Sequence, residues 1–537
     1  MFPPLPQEKA AKILEKLIQS LEKGELVLAQ VARVSEERKN QGVMLGALVC
    51  KDKNGGEVNL VTNSGNAKEI RNAQSATNNE KDGNSGTETD FFQLSNFNFQ
   101  FVSPIVSSEK IEEALSENDA EIHEITERLK SGSELIRGGS KNAEKSYEDL
   151  RKLREKLCAE SLEKVHALYK FHCIDGKVRS LKEICASYNG GKLPPTGTGD
   201  CCAPKLFDYA FAHELMPVSL AEVRFDSNME KNLPHGGGEK TVDRKNFTAE
   251  GRKILVTTGC RCGRDCSTAE GVPRAVWSES GSAESPTAKP DRPDFQLTPP
   301  CDERCGILLP AMLGLRILYR DDSICVVNKQ SGLLSVPGRG EDKQDCIESR
   351  FKRLFGDKVE IVQTAVHRLD METSGVMILA FTKEAHRELM RQFEAKEVQK
   401  EYVALLDGIL PKMGIAPNGK MELFFRLDVD NRPHQIWDAE NGKSAVTEWQ
   451  ILGVERYHAP DGFPRNATRV LFMPHTGRTH QLRLASADSH GFGCPIIGDT
   501  LYGHCDVGER LMLHARKITF THPVTGERMT IECQPEF

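Results

Sequence analysis

The 537-residue chain has no apolar run approaching the roughly 20 residues a helix needs to cross a bilayer, so no membrane span is expected. Its first residues, Met1 to Lys9, hold no basic segment followed by an apolar core, and no secretory signal is expected either. Positive charge is not in excess: the formal net charge is −7, which counts against a large basic footprint for nucleic acid. It does not exclude RNA, because a local basic cleft can sit on an acidic protein. The paired C-x2-C knuckles of an ordinary zinc ribbon are missing. Cysteine itself is not scarce, with 16 residues spread through apparent core segments and loops. Without a secretion signal these read as reduced thiols, which points to a cytoplasmic location.

A chain of this length exceeds what one core can serve, and its composition shifts suggest five segments. Residues 1–107 read as an α/β region. A helix is predicted over Gln7 to Leu21 from the spacing of Ala11, Leu14, Leu17 and Leu21, followed by a hairpin from Val43 to Val61 turning at Asn54-Gly55. Residues 64–95 are rich in Asn, Ser, Gly and Thr and read as a polar, flexible insertion. Residues 108–172 carry two apolar stripes, Ile111 to Leu129 and Leu150 to Leu168, separated by a Gly-containing break. They predict either a helical hairpin or coiled-coil arm, or a pair of ordinary surface helices. The arm also offers a surface for self-association of a chain otherwise expected to be monomeric.

Residues 173–225 contain the unusual run Gly197-Thr198-Gly199-Asp200-Cys201-Cys202, followed by a helix over Leu206 to Leu215. The glycine spacing is not that of a P-loop. The adjacent thiols allow metal ligands, a nucleophile, or simply a tight turn with buried sulfur. Residues 226–311 read as a polar linker with cysteines at 260, 262, 266, 301 and 305. Close spacing makes Cys260, Cys262, Cys266, Cys301 and Cys305 a candidate zinc set, against the plainer reading of a reduced, disordered linker.

The remaining 312–537 read as a mixed α/β domain organised around one stretch, Gln363 to Thr382. There the polar tetrad His367-Arg368-Leu369-Asp370 runs through a Thr373-Ser374-Gly375 turn into the apolar run Val376 to Phe381, a predicted buried strand. A carboxylate on a loop just before such a strand is well placed for chemistry. Taken alone, Arg-x-Asp is more often a local ion pair. A strand is predicted from Ile317 to Lys329, a helix over Lys343 to Phe355, and a helix from Lys383 with Thr382 as its N-cap. Thr468 to Met473 reads as a strand and Thr479 as the opening of a helix that carries Arg483.

The tetrad and its neighbours, His367 to Gly375, resemble the signature of the RluA family of RNA pseudouridine synthases. Four further blocks stand in the same order: Val327 to Gly338, Lys400 to Ala404, Thr476 to Arg483, and Leu511 to Ala515. The resemblance runs from about Leu315 to Phe537. It implies an α+β domain with a long, mostly antiparallel bent sheet, flanking helices and a cleft across one face, here preceded by an α/β and helical-arm extension. It implies an isomerase that turns uridine into pseudouridine in structured RNA, either large-subunit ribosomal RNA or the tRNA anticodon stem-loop. No cofactor is expected, because the reaction is an isomerisation without net redox change.

The same resemblance makes Asp370 the essential catalyst, attacking ribose C1′ or removing a 2′ proton to give a glycal. It makes Arg483 the cation that holds Asp370 charged, and Tyr402 the ring that stacks on the detached uracil and whose phenol serves in the later proton removal at C5. Arg368 would fill the space of a flipped base. His367, Arg478 and His480 would serve phosphate or structural contacts, and Leu513 would line the base pocket. Glu372 stands where a small residue is frequent in the family, adding a negative charge beside Asp370. The S4-type RNA-binding module of some relatives is not apparent. The competing reading is a non-catalytic RNA-binding or RNA-folding protein on the same scaffold.

Overall fold

The computed structural model describes residues 3–30, 43–65, 68–72, 91–94, 97–136, 141–188, 191–192, 194–195, 197–225, 297–460 and 464–537. Met1–Phe225 and Asp294–Phe537 together form one compact unit. Among the described residues no helix is long and apolar enough to cross a membrane, and every cysteine is a free thiol.

In the first part, α1 (Glu8–Glu22) is followed by β1 (Leu26–Gln30), β2 (Val43–Lys51), β3 (Glu57–Asn63), β4 (Lys68–Asn72), β5 (Phe91–Leu94) and β6 (Phe97–Phe101). The two long arm helices, α2 (Ser108–Ile136) and α3 (Lys141–Leu168), come next. They lead to β7 (Lys170–His172), β8 (Val178–Ser180), α4 (Leu181–Tyr188), α5 (Cys202–Ala212) and β9 (Met216–Phe225). A five-stranded sheet has the order β5-β6-β3-β2-β9. The expected hairpin is present, with Lys51 opposite Glu57 and the Asp52 carboxylate accepting the Asn54 and Gly56 N–H groups across the turn. Strand alternation then sorts β2 between two cores. Leu45, Ala47 and Val49 join Leu14 and Leu17 of α1, while Leu48 and Cys50 join Leu206 and Phe207 of α5. Gly46 lies where α5 crosses, and a Cβ there would stand 2.4 Å from that of Cys202.

Two expectations about this part change. The polar insertion contributes strands at both ends, β4 against β1 and β5 against β6, because Ile70 and Phe92 reach the apolar core. The helix expected from Leu206 begins earlier, at Cys202, and ends at Ala212. The arm helices pack as an antiparallel hairpin, tied by Asn118 to Ser161 (3.1 Å) and Arg154 to Thr126 (2.9 Å).

The second part begins with α6 (Cys305–Leu313), β10 (Arg316–Arg320), β11 (Ile324–Lys329), α7 (Ile347–Phe355), β12 (Ser374–Ala380), α8 (Lys383–Glu394) and β13 (Gln399–Leu406). It continues with β14 (Asn418–Leu427), β15 (Gln435–Trp437), β16 (Lys443–His458), β17 (Pro464–Pro474), α9 (Gln481–Ala487), β18 (Leu513–Thr521) and β19 (Arg528–Glu532). One ten-stranded sheet runs β10-β11-β12-β18-β13-β17-β16-β14-β15, with β19 on β18. Among the described strands of this sheet only β12 and β18 pair in parallel, so the α+β, mostly antiparallel expectation holds.

The single strand expected from Ile317 to Lys329 is two. The Asp321 carboxylate accepts the Ser323 and Ile324 N–H groups (2.7 and 2.8 Å) and turns β10 back into β11. The helix expected from Lys343 starts at Ile347 behind a Cys346–Ser349 capping box. Residues 305–311, read as the end of a polar linker, lie in α6, whose side chains from Ile307 to Leu313 are buried. They share a core with Phe171 and Leu206 on one side and Phe351 and Met377 on the other. Cys260, Cys262 and Cys266 lie outside the described residues.

Candidate active site

Strand β12 anchors the site. All seven of its residues are buried, and it reaches β18 at Gly375, where φ is +119° and a Cβ would stand 2.3 Å from the Ala515 carbonyl. Any other residue there would push the two strands apart. The loop that ends on this strand carries Asp370, and it is held from below by the block that follows β11.

Lys329, fully buried, donates to the carbonyls of Gln330 (3.1 Å), Leu333 (2.7 Å) and Met371 (2.8 Å). Three acceptors match the three protons of an ammonium. Burial nonetheless pushes its pKa down to about 7, and only the nearby Asp370 charge opposes that. Ser335 Oγ accepts the Leu369 N–H (2.9 Å) and donates to the Leu369 carbonyl (2.6 Å), while Ser331 Oγ donates to the Glu372 carbonyl (2.6 Å). The backbone on both sides of Asp370 is therefore fixed. Its carboxylate has no hydrogen bond or ion pair among the described residues.

What surrounds that carboxylate is an electrostatic shell. The Asp370 charge acts on Lys329, Tyr402, His480, Arg483 and Tyr502, which come from four separate stretches of chain. Tyr402 stands on β13 beside a bulge against β18, between Phe472 and Ala515. Burial first, and Asp370 second, push its phenol well above the ordinary range, so the ring is neutral in the free protein.

Arg483 departs from expectation. Its guanidinium grips Asp499 through two nitrogens (2.9 and 2.5 Å) and Glu372 through one (2.7 Å), and no ion pair with Asp370 forms. The Arg483 and Asp499 side chains are 3% and 0% exposed. Asp499 also accepts the Leu501 and Tyr502 N–H groups (2.9 and 3.0 Å), so the turn after Gly498 builds a carboxylate socket for the arginine. Glu372, the extra carboxylate beside the catalytic candidate, thus turns to Arg483, and it also accepts from Thr500 Oγ1 (2.6 Å). Arg483 stays close enough for the Asp370 charge to act on it, but it neutralises other acids first.

The helix bearing Arg483 opens two residues later than expected, at Gln481, with His480 as N-cap in the left-handed region at φ 54°. His480 Nδ1 lies 2.8 Å from Tyr502 Oη, which also accepts the Gln435 N–H (2.8 Å). Gln481 fastens this turn to β16 through the Val446 carbonyl and Thr447 Oγ1 (3.1 and 2.9 Å). Arg478 is exposed and donates to the Ser444 carbonyl (3.0 Å). Arg368 is exposed with no ion pair among the described residues. Leu513 is buried in the apolar cluster that Tyr402 borders.

His367 is absorbed into the fold. Its Nε2 accepts the Ile378 N–H (3.0 Å) and its ring stacks on Phe393 at 4.8 Å. Burial, with some help from the Lys400 charge, pushes its pKa down to about 3 and keeps it neutral. Its ring thus makes a structural contact, one of the two roles expected for it. Sequence reasoning passed over Lys329, Ser335, Asp499 and Tyr502. Lys329 and Ser335 stood inside a recognised block, and Asp499 follows the apolar pair Ile496-Ile497 and Gly498, an acid in a setting that favours burial.

Residues 323–488 match the family model for RNA pseudouridylate synthase. The dual-specificity RNA pseudouridine synthase RluA of Haemophilus influenzae is 42% identical over 226 residues, which are 42% of this chain and 94% of that protein. The enzyme of the same name from Escherichia coli K12 is also 42% identical over 226 residues, again 94% of its length. The solved structure of human RNA pseudouridylate synthase domain containing 1 is 28% identical, covering 41% of this chain and 83% of that one with a TM-score of 0.33. The RluA proteins are thus matched almost end to end by the second part of this chain, in which the Asp370 loop and its electrostatic shell lie. The chain belongs to the RluA family, an RNA pseudouridine synthase with a long N-terminal extension.

Proposed function

We propose that this enzyme isomerises specific uridines in structured RNA with Asp370 as the reacting carboxylate. The observation that supports this most is the isolation of Asp370 from partners inside a shell of five groups that respond to its charge. A carboxylate fixed by its backbone yet unpaired at its oxygens is free to bond to ribose C1′ or to take the 2′ proton. Lys329 and Arg483 lie where they temper its charge without capping it. Arg483 acts at a remove, since Asp499 and Glu372 hold it.

Tyr402 serves as the neutral face on which uracil rests while its glycosidic bond is broken and remade at C5. The C5 proton leaves to solvent water, or to the Tyr402 oxygen once the phenolic proton, held by burial, has itself passed to solvent. The exposed Arg368 is available to enter the stack as the target base leaves it, offsetting part of the few kcal/mol that flipping costs. The relatives are named for dual specificity. Large-subunit ribosomal RNA and the tRNA anticodon stem-loop are therefore the first substrates to try. Reduced thiols and an RNA substrate fit a cytoplasmic enzyme.

The test uses the purified chain and these two RNAs carrying tritium at uridine C5, since forming the C5–C1′ bond displaces that hydrogen. Tritium release with matching pseudouridine on nuclease digestion is the expected result. Tight binding of both RNAs without release from either would favour the non-catalytic reading.

A further inference from the structure

The Gly197 to Cys202 run supplies none of the groups on which the Asp370 charge acts, yet it is tightly held. Gly199 has φ +104° and a Cβ there would meet the Tyr169 ring at 2.6 Å. The Tyr169 hydroxyl donates to Asp200 Oδ1 (2.7 Å), and the Asp200 carbonyl accepts the Gly65 N–H (2.9 Å). Lys205, fully buried, donates to the carbonyls of Asn63 and Gly65 (3.1 and 2.6 Å). The two adjacent cysteines then part company. Cys202 Sγ faces the Met44 carbonyl at 3.4 Å, inside the fold. Cys201, the N-cap of α5, turns its sulfur to Cys301, 3.9 Å away.

Cys305 completes the group. The sulfurs of Cys201, Cys301 and Cys305 all lie within 4.8 Å of one another, although 100 residues separate the first two in sequence. Two tetrahedral Zn–S bonds of about 2.3 Å set their sulfurs roughly 3.8 Å apart, close to the observed edge. A disulfide needs a separation of about 2.05 Å and would leave the third thiol out. Cys201 caps α5 and Cys305 opens α6, so two helix N-termini meet at the cluster, an arrangement that favours thiolates. The Cys305 N–H already donates to Cys301 Sγ (3.5 Å).

We propose that Cys201, Cys301 and Cys305 bind a zinc ion that fastens the start of α5 in the extension to the start of α6 at the entrance of the catalytic domain. Cys301 is the exposed member, so water can take the fourth position on its side. Soft thiolates without redox demand suit zinc among the common divalent ions. The ion replaces the thiol protons, so its uptake adds a direct link between two segments that also meet through side-chain packing and the Thr298 N–H to Glu222 carbonyl bond (2.8 Å).

The full-length chain, purified without chelator, is assayed for zinc, then stripped and titrated with cobalt(II) while the thiolate-to-cobalt charge-transfer band is followed. A single zinc per chain is expected, with a band that appears on stripped wild type and on Cys158→Ala. Cys201→Ala, Cys301→Ala and Cys305→Ser should each lose both zinc and band. Cys301→Ala alters an exposed side chain, so its circular dichroism should match wild type and remove misfolding as an explanation. Metal-free protein that gives no band overturns the proposal. So does a band that survives Cys201→Ala and Cys301→Ala, or a mass two hydrogens light from a Cys201–Cys301 disulfide.

Discussion

The Asp370 loop and the helical arm are ordered by opposite means. Around Asp370, buried side chains satisfy backbone carbonyls one by one, and the charges nearby are enclosed. Along α2 and α3 the contacts are a thin seam: Ile125 and Leu157 are buried, while ion pairs such as Lys130–Glu127 and Arg151–Glu155 sit on side chains more than half exposed. An enclosed pair costs several kcal/mol to break, whereas an exposed one is worth about 0–1 kcal/mol. Precision is therefore concentrated around the carboxylate proposed to react, and the arm presents a long charged surface whose individual charges matter little to the fold.

Substitutions should grade accordingly. Asp499→Ala has the largest expected effect on stability, about 3–5 kcal/mol in urea unfolding, because it removes the bidentate, fully enclosed partner of a buried guanidinium and leaves it with Glu372 alone. Glu372→Ala leaves Asp499 in place and should cost under about 1 kcal/mol. If the two losses were equal, Arg483 would depend on its partners in a different order. Lys329→Met comes next, at about 1–3 kcal/mol for carbonyls left without a donor, with activity falling further than stability as the loop loosens.

Acid should act through the enclosed histidines. His367 and His514 have pKa values pushed down to about 3 and 4, so both are neutral in the fold and charge only in the unfolded chain below about 6.5. The unfolded state binds more protons there, so stability is full above that pH and falls as pH drops toward 4. Lys400 acts on His367 and Arg510 on His514 in the same direction. A melting curve taken at pH 7, 6, 5 and 4 should show a steady loss, and His367→Gln should flatten part of it. The smallest effect is expected in the arm: Lys164→Ala, which removes the exposed pair with Glu117, should shift stability by no more than about 0.5 kcal/mol.

What was legible in the sequence was local or ordered along the chain. Helix α1, the β2–β3 hairpin, buried β12 and the Thr382 cap of α8 follow from spacing and turn chemistry within a few residues, and each is present. Element ends were less legible, because Asp321 and His480 redirect the backbone through side-chain acceptance and a positive φ that spacing does not encode. The partner of Arg483 was hidden for another reason. Asp370 and Asp499 are both acids after apolar residues, and only the fold decides which of them is enclosed with the guanidinium. Cys201 and Cys301 met the same limit, since 100 residues of chain lie between them.

The proposed site holds Asp370 by its backbone without using its carboxylate for structure. Asp370→Asn, assayed for tritium release from C5-labelled RNA and for thermal unfolding on the same preparation, addresses this directly. Turnover should fall about 10⁴-fold, while the melting temperature stays with wild type because no partner loses a bond. A folded Asp370→Asn enzyme that still turns over near the wild-type rate, or a variant that loses activity only by unfolding, would contradict it.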